Sequence, residues 1–320
     1  MRAVVSTTYG DADVLRLSDV DQPTIGPDEV LVRVAAAGLD RGVWHVMTGR
    51  PLLVRAGFGL RRPRVPVRGR ELAGVVAAVG ARVTRLRPGD EVYGTSAWGT
   101  FAEYARASEA KLARRPTNVT VEQAAVTPIS GATALRAVQR AGIAPGHRVL
   151  VVGAAGGVGS FVVQLAKARG GSVTAVCSLS TVDFVRQLGA DDVLDYAREE
   201  VDRDGPVYDA VVDMGGNRRL SVLRRALAPR GVLVIVGGEQ GRGALLGGFG
   251  RQLLAPLAGP GRMVGLTAAE RAADLDELRG LIESGAVTPV VDRAYPLDRA
   301  AEAMRHLAEG HPRGKVVLTI

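Results

Sequence analysis

The rhythm of apolar and polar positions changes about a third of the way along this chain. Over the first hundred or so residues, short apolar runs are interrupted at regular turn signals. Val30–Ala36, Leu72–Val79 and Glu91–Gly94 read as strands, with turns at Gly26-Pro27-Asp28 and Pro88-Gly89-Asp90. That density of short strands predicts a compact β-barrel-like domain. From about residue 121 helical and strand patterns alternate. A helical stretch over 121–141 ends at Gly142, and Pro145-Gly146 turns the chain into the β-branched run Val149–Val152. Helices are expected at 160–169, 181–188, 218–227 and 270–284, with strands at 173–177, 192–195, 208–213, 231–236 and 263–266. Helices between short, nearly all-apolar strands predict a parallel sheet covered on both faces. Beyond it, Val287–Tyr295, a helix over 298–309 and a strand over 315–319 read as elements returning to the first domain. The expected class is α/β: a β-rich domain over 1–120, completed by 286–320, and a doubly wound domain over 121–285.

One loop carries the first chemical signal. Val149–Val152 runs straight into glycines at 153, 156 and 159, and a helical stretch follows. Strand, tight turn and helix in that order are what a dinucleotide-binding βαβ unit requires. The glycines let the backbone turn sharply, approach a pyrophosphate closely and seat the helix against the strand. The helix start then offers N–H groups and a positive dipole end to the phosphates.

Composition adds little that is specific. The 320 residues are 47% hydrophobic and 23% charged, and no apolar run reaches the roughly 18–20 residues that span a bilayer. The N-terminal strand-like alternation contains no apolar signal core, so secretion is not expected and a cytoplasmic location is. Cys177 is the single cysteine, which excludes an intrachain disulfide and a Cys-rich zinc site. The net charge of +8 raises a nucleic-acid partner. The basic residues are almost all arginine, dispersed apart from the cluster Arg55–Arg70, and aromatics do not interleave with them. No nucleic-acid partner is expected.

Further short motifs occur in a fixed order: Ala35-Ala-Ala-Gly-Leu-Asp40, Gly69-Arg-Glu-Leu-Ala-Gly74, Pro88-Gly-Asp-Glu-Val-Tyr-Gly94, Gly99-Thr-Phe-Ala-Glu-Tyr104, Gly131-Ala-Thr-Ala134, the glycine loop and Arg313-Gly-Lys-Val-Val317. With these motifs the chain resembles, over its whole length, the medium-chain dehydrogenase/reductase superfamily in its zinc-independent, quinone-reductase-like branch. The resemblance implies a GroES-like β-barrel catalytic domain, a Rossmann domain, a nicotinamide cofactor in the cleft between them, and homodimers formed through the Rossmann edge strand. Zinc-dependent relatives carry a cysteine at the position of Asp40 and a histidine at that of Arg70. An arginine cannot replace an imidazole as a ligand, so no metal is expected.

Hydride transfer without a metal calls for an electron-poor acceptor, a quinone or an α,β-unsaturated carbonyl, whose oxygen needs a hydrogen-bond donor or a proton. The resemblance places His45 where quinone reductases carry a tyrosine, and Asp40 where they carry an asparagine near the nicotinamide ribose or substrate. Arg41 offers positive charge to a developing oxyanion, or an ion pair to Asp40. His45, Asp40 and Arg41 are therefore the catalytic candidates, with the alternative that His45 and Trp44 merely line the cleft or pack the barrel. Cofactor contacts are expected from Gly153, Ala154, Ala155, Gly156, Gly157, Val158 and Gly159. Thr133, Gly237 and Gly238 match positions that embrace the nicotinamide half, Tyr196 one near the adenosine phosphate, and Lys315 is counted with them. After the strand ending at Cys177 stand Ser178 and Ser180, with no carboxylate to bond a ribose 2′-OH. That favours NADPH, with NADH as the alternative. The acceptor pocket is expected in loops 44–66 and 240–262. Two other functions stay open: a 2-enoyl-thioester reductase in which Arg55–Arg70 meets a phosphopantetheine or CoA phosphate, and a non-enzymatic NADP-binding redox sensor or RNA-binding protein.

Overall fold

The computed structural model describes residues 1–237, 252, 263–266, 270–310 and 312–320. They belong to two compact units: Met1–Ala132 with Glu270–Gly285 and Pro289–Ile320, and Thr133–Ala269 with Ala286–Thr288. In chain order the first unit opens with β1 (Arg2–Val5), β2 (Arg16–Asp19), β3 (Glu29–Leu39), α1 (Arg41–Thr48) and α2 (Leu53–Phe58). It continues with β4 (Glu71–Val79), β5 (Glu91–Thr95), β6 (Tyr104–Ser108), β7 (Leu112–Arg114), α3 (Val121–Ala125) and the start of α4 (Pro128–Ala141). The second unit holds β8 (Arg148–Val152), α5 (Gly157–Ala168), β9 (Ser172–Cys177), α6 (Val182–Gln187) and β10 (Asp192–Asp195). It goes on through β11 (Tyr208–Asp213), α7 (Leu220–Ala226), β12 (Leu227–Ile235) and β13 (Met263–Gly265). The chain then returns to the first unit with α8 (Ala272–Glu283), β14 (Val291–Pro296), α9 (Ala300–Ala308) and β15 (Lys315–Thr319).

β3 is the spine of the first unit. Val30, Leu31, Val32 and Val34 and the run Ala36–Leu39 are buried and only Arg33 is exposed, so the strand is covered on both faces over most of its length. It pairs antiparallel with β4, β6 and β15, in a sheet ordered β14-β15-β3-β4-β5-β7 with β6 also on β3. Leu39, Met47, Leu72, Phe101 and Leu112 fill the core, each contributing roughly 1.5–3 kcal/mol by leaving water.

Two departures from the sequence pattern matter for the site. The single helix expected over 121–141 is two, because Pro128 supplies no N–H and disfavours helical backbone in the residue before it. The segment expected as loop 44–66 contains Trp44–Thr48 of α1 and all of α2. α1 is bounded by ordinary cap chemistry: the Asp40 Oδ1 accepts the Val43 N–H at 3.1 Å, and Gly49, at φ 63°, closes the helix.

Residues 121–132 and 270–285, expected in the nucleotide-binding domain, lie in the first unit. Three hydrogen bonds explain this placement. The Tyr93 hydroxyl donates to the Leu275 carbonyl at 2.6 Å, the Asn118 amide to the Ile282 carbonyl at 2.9 Å, and the Ile129 N–H to Glu71 at 2.7 Å.

The second unit is a six-stranded, all-parallel sheet ordered β10-β9-β8-β11-β12-β13. β8 and β11 are buried on both faces, as their unbroken apolar runs predict. Strand order reverses between them, which opens a crevice beyond their carboxyl ends. The Gln164 amide of α5 bonds both the N–H and the carbonyl of Thr288, holding residues 286–288 to this unit.

Candidate active site

The glycine loop lies at that reversal. Gly153 takes φ 83°, a conformation natural only to glycine, and its N–H and that of Ala154 both donate to the Val176 carbonyl of β9. A Cβ on Gly159 would fall 2.1 Å from the Gly153 oxygen, so α5 seats on the loop only with glycine there. Among the described residues, a Cβ on Gly156 would meet only that same oxygen, at 3.6 Å. Gly156 is also the N-cap of α5, and no side chain caps the helix. Ala155, Gly157 and Val158 complete the rim. Backbone of this shape fits a dinucleotide pyrophosphate, held by first-turn N–H groups and the helix dipole.

Ser178, Ser180, Tyr196 and Gly237 follow the carboxyl ends of strands in the same sheet. Ser178 follows β9, its hydroxyl 3.0 Å from that of Ser180 and 3.2 Å from that of Thr181. Tyr196 follows the neighbouring β10, half exposed, its N–H on the Cys177 carbonyl. Arg218, which the sequence patterns do not single out, donates to the Tyr196 carbonyl at 2.8 Å and pairs with Glu200 at 2.7 Å. Gly237 follows β12, and a Cβ there would meet only the Met214 oxygen at 3.8 Å. Thr133 is half buried on α4. Gly238 and most of the 240–262 segment lie outside the described residues. Burial raises the Cys177 thiol above its ordinary range, so it is a packed side chain and no thiolate at neutral pH.

Lys315 departs from expectation. Its ammonium lies 2.6 Å from Glu71 Oε2 within the first unit, and the two residues are 3% and 0% exposed. It pairs there with a buried carboxylate. Burial pushes Glu71 up to about 7, against the pull of Lys315, and the Asp40 carboxylate pushes the same way. The sequence signal for the pair was an acid heading an otherwise apolar strand and one of only three lysines in the chain.

The catalytic candidates lie on or beside α1. Asp40 is its N-cap, with Oδ1 committed to Val43 and Oδ2 buried with no hydrogen-bond partner among the described residues. Asp40 and Arg70 approach each other around Gly42, where an added Cβ would lie 2.6 Å from Asp40 Oδ1 and 3.9 Å from Arg70 Nη1. Arg41 turns toward the Trp44 ring, 6.0 Å from its centroid. His45 Nδ1 lies 2.6 Å from the Arg50 carbonyl. A carbonyl only accepts, so Nδ1 carries a proton, and in the neutral ring Nε2 is an acceptor. His45 can therefore donate from Nε2 only as imidazolium. Among the described residues, no three His, Cys, Asp or Glu side chains gather as a metal-ligand set.

A cavity of about 620 Å³ opens in the first unit, walled by Val46, Phe58, Arg64, Arg68, Arg70 and Trp98 among others. α1 contributes Val43 and Val46 to this wall; His45 and Asp40 are not among the described residues that form it.

Residues 26–117 match the family described as the alcohol dehydrogenase GroES-like domain, and residues 188–318 that described as zinc-binding dehydrogenase. An NADPH-dependent alkenal/one oxidoreductase of Arabidopsis thaliana chloroplasts is 36% identical over 99% of this chain and 79% of its own. The chloroplast envelope quinone oxidoreductase homolog of Arabidopsis thaliana is 31% identical over 99% and 98%. The solved quinone oxidoreductase of Coxiella burnetii superposes with a TM-score of 0.87 at 27% identity, covering 100% of this chain and 99% of that one. With both halves of its architecture and its entire length matched, the chain belongs to the medium-chain dehydrogenase/reductase superfamily of oxidoreductases, in the quinone oxidoreductase-like branch.

Proposed function

We propose that the protein is an NADPH-dependent reductase of quinones or α,β-unsaturated carbonyls that works without a metal. The observation that carries this reading is the glycine cradle at the sheet's reversal point, followed on β9 by hydroxyls where an NADH-selective site would carry an acid. Relatives whose names specify NADPH-dependent alkenal/one and quinone oxidoreduction support the acceptor class.

When bound, the reduced nicotinamide supplies hydride to the acceptor carbon. The chain's own residues have four tasks. The α5 N-terminus and the 153–159 loop hold the pyrophosphate. Ser178 and Ser180 donate to the 2′-phosphate, and the residues that directly follow β9 before Ser180 carry no carboxylate to repel it. Asp40 accepts from a hydroxyl through the oxygen that Val43 leaves unused. Protonated His45 donates from Nε2 to the oxygen that gains charge, with its Nδ1–H fixed on Arg50. A zinc ion has no place in this scheme, because Arg70 is a cation paired with Glu270 at 3.5 Å and offers no lone pair. A homodimer through the terminal strand β13 and a cytoplasmic location belong to the same proposal. The latter is supported by the lone, buried thiol.

Purified protein mixed with NADPH and either a naphthoquinone or a simple enone is expected to oxidise the cofactor; failure with both removes the reading. His45→Phe is expected to lower kcat by roughly 10²-fold. Turnover near wild type would remove His45 from the mechanism.

A further inference from the structure

We propose that the first unit's cavity contains an anion-binding subsite, centred on the Arg68 guanidinium, that selects acceptors bearing a carboxylate or a phosphate. The inference rests on the reductase reading and narrows its substrate class.

Arg68 lines the cavity and is only 3% exposed. Its Nε donates to the Pro66 carbonyl at 3.1 Å and its Nη2 to the Val65 carbonyl; Nη1 takes part in neither bond. Carbonyl dipoles orient the guanidinium without supplying a counter-charge. The acidic group that acts on it is the Tyr9 phenol, itself raised by burial and so uncharged at neutral pH. Burial pushes Arg68 down only to about 10, so it remains a cation. Among the described residues no carboxylate pairs with this buried cation, which is costly, and an anion in the adjoining cavity offsets that cost.

The rest of the wall has the same sign. Arg64, Arg70 and Lys111 add three cations, against the carboxylates of Glu29 and Glu270. Glu29 is already engaged by the Gly26 N–H at 2.8 Å and by Arg106 at 3.5 Å, and Glu270 by Arg70 at 3.5 Å. The segment 41–70 that builds much of this wall has eight arginines and neither Asp nor Glu. Trp98, with the Arg106 guanidinium 3.7 Å from its ring centroid, joins Phe58 and Val46 as an apolar surface for a conjugated carbonyl.

The chain has two tryptophans, so Trp44→Phe leaves Trp98 as a fluorescent reporter on the cavity wall. Two matched pairs would be titrated against it: 4-oxopentanoate with 4-oxopentanamide, and 4′-phosphopantetheine with pantetheine. The charged member of at least one pair is expected to bind about tenfold tighter than its neutral partner and to lose that advantage as NaCl rises. The pair that shows the gap identifies the anion. Arg68→Met is expected to close the gap and Arg68→Lys to keep part of it. Equal affinities within both pairs overturn the subsite, whether or not the Arg68 variants fold; a gap that survives Arg68→Met overturns the role of Arg68. If a neutral enone still consumes NADPH in either case, the reductase reading stands and only the subsite falls.

Discussion

Glu71 and Lys315 bring opposite charges within 2.6 Å where water cannot reach them. Removing one partner strands the other, so Lys315→Met is expected to cost roughly 3–5 kcal/mol in urea unfolding at pH 8. The sign of the pH effect follows from Glu71, raised in the fold from 4.5 to about 7. Between those values the folded state keeps a proton that the unfolded chain has released, so this group's contribution to stability falls as pH rises through the window. Glu71→Gln should flatten that slope, and the cost of Lys315→Met should shrink at pH 5, where Glu71 is already protonated. A Lys315→Met cost that is equal at pH 5 and pH 8 would refute the assignment. A second residue-scale expectation concerns Gly159. Its missing Cβ is what lets α5 approach the Gly153 oxygen, so Gly159→Ala should weaken NADPH binding at least about tenfold, measured by nicotinamide fluorescence. The glycine was legible in the sequence, because a strand-glycine-helix order has few other uses. The role of Lys315 was not, because a charge's partner across 244 residues is set by the fold.

At the scale of elements, the proposal puts the choice between the two nicotinamide cofactors at the carboxyl ends of β9 and β10. Ser180→Asp would put a carboxylate beside a 2′-phosphate, and like charges within about 4 Å cost about 1–4 kcal/mol. The ratio of kcat/KM for NADPH to that for NADH should therefore fall about tenfold or more; an unchanged ratio would place the 2′-phosphate elsewhere. Strands in the second unit were readable because both faces are buried and their apolar runs are continuous. α1 and α2 were read as loop, since Gly, Arg and Pro dominate 41–66 and no long apolar stripe marks a helix. The cap signals at Asp40 and Gly49 were present all the same. The break at Pro128 is the converse case, a local veto inside an otherwise helical pattern.

At the scale of the whole molecule, the charge of +8 is spread over a surface where many arginines are already paired with carboxylates, as Arg82 is with Asp28, Arg115 with Glu91 and Arg225 with Asp202. No helix among the described residues is long and apolar enough to cross a membrane. A homodimer through β13 predicts a light-scattering mass about twice the 33.5 kDa of the chain; a monomer at micromolar concentration would remove that part of the proposal. Local pattern alone was enough for the two kinds of sheet, the glycine turn between strand and helix and the missing acid after β9, because periodicity and turn chemistry act over a few neighbouring residues. The three-dimensional packing set the rest: Lys315 answers Glu71, residues 121–132 and 270–285 pack with the first unit, and Arg68 is buried on a cavity wall with no carboxylate paired to it among the described residues. Those outcomes depend on which distant groups lose water together, and no local pattern encodes that.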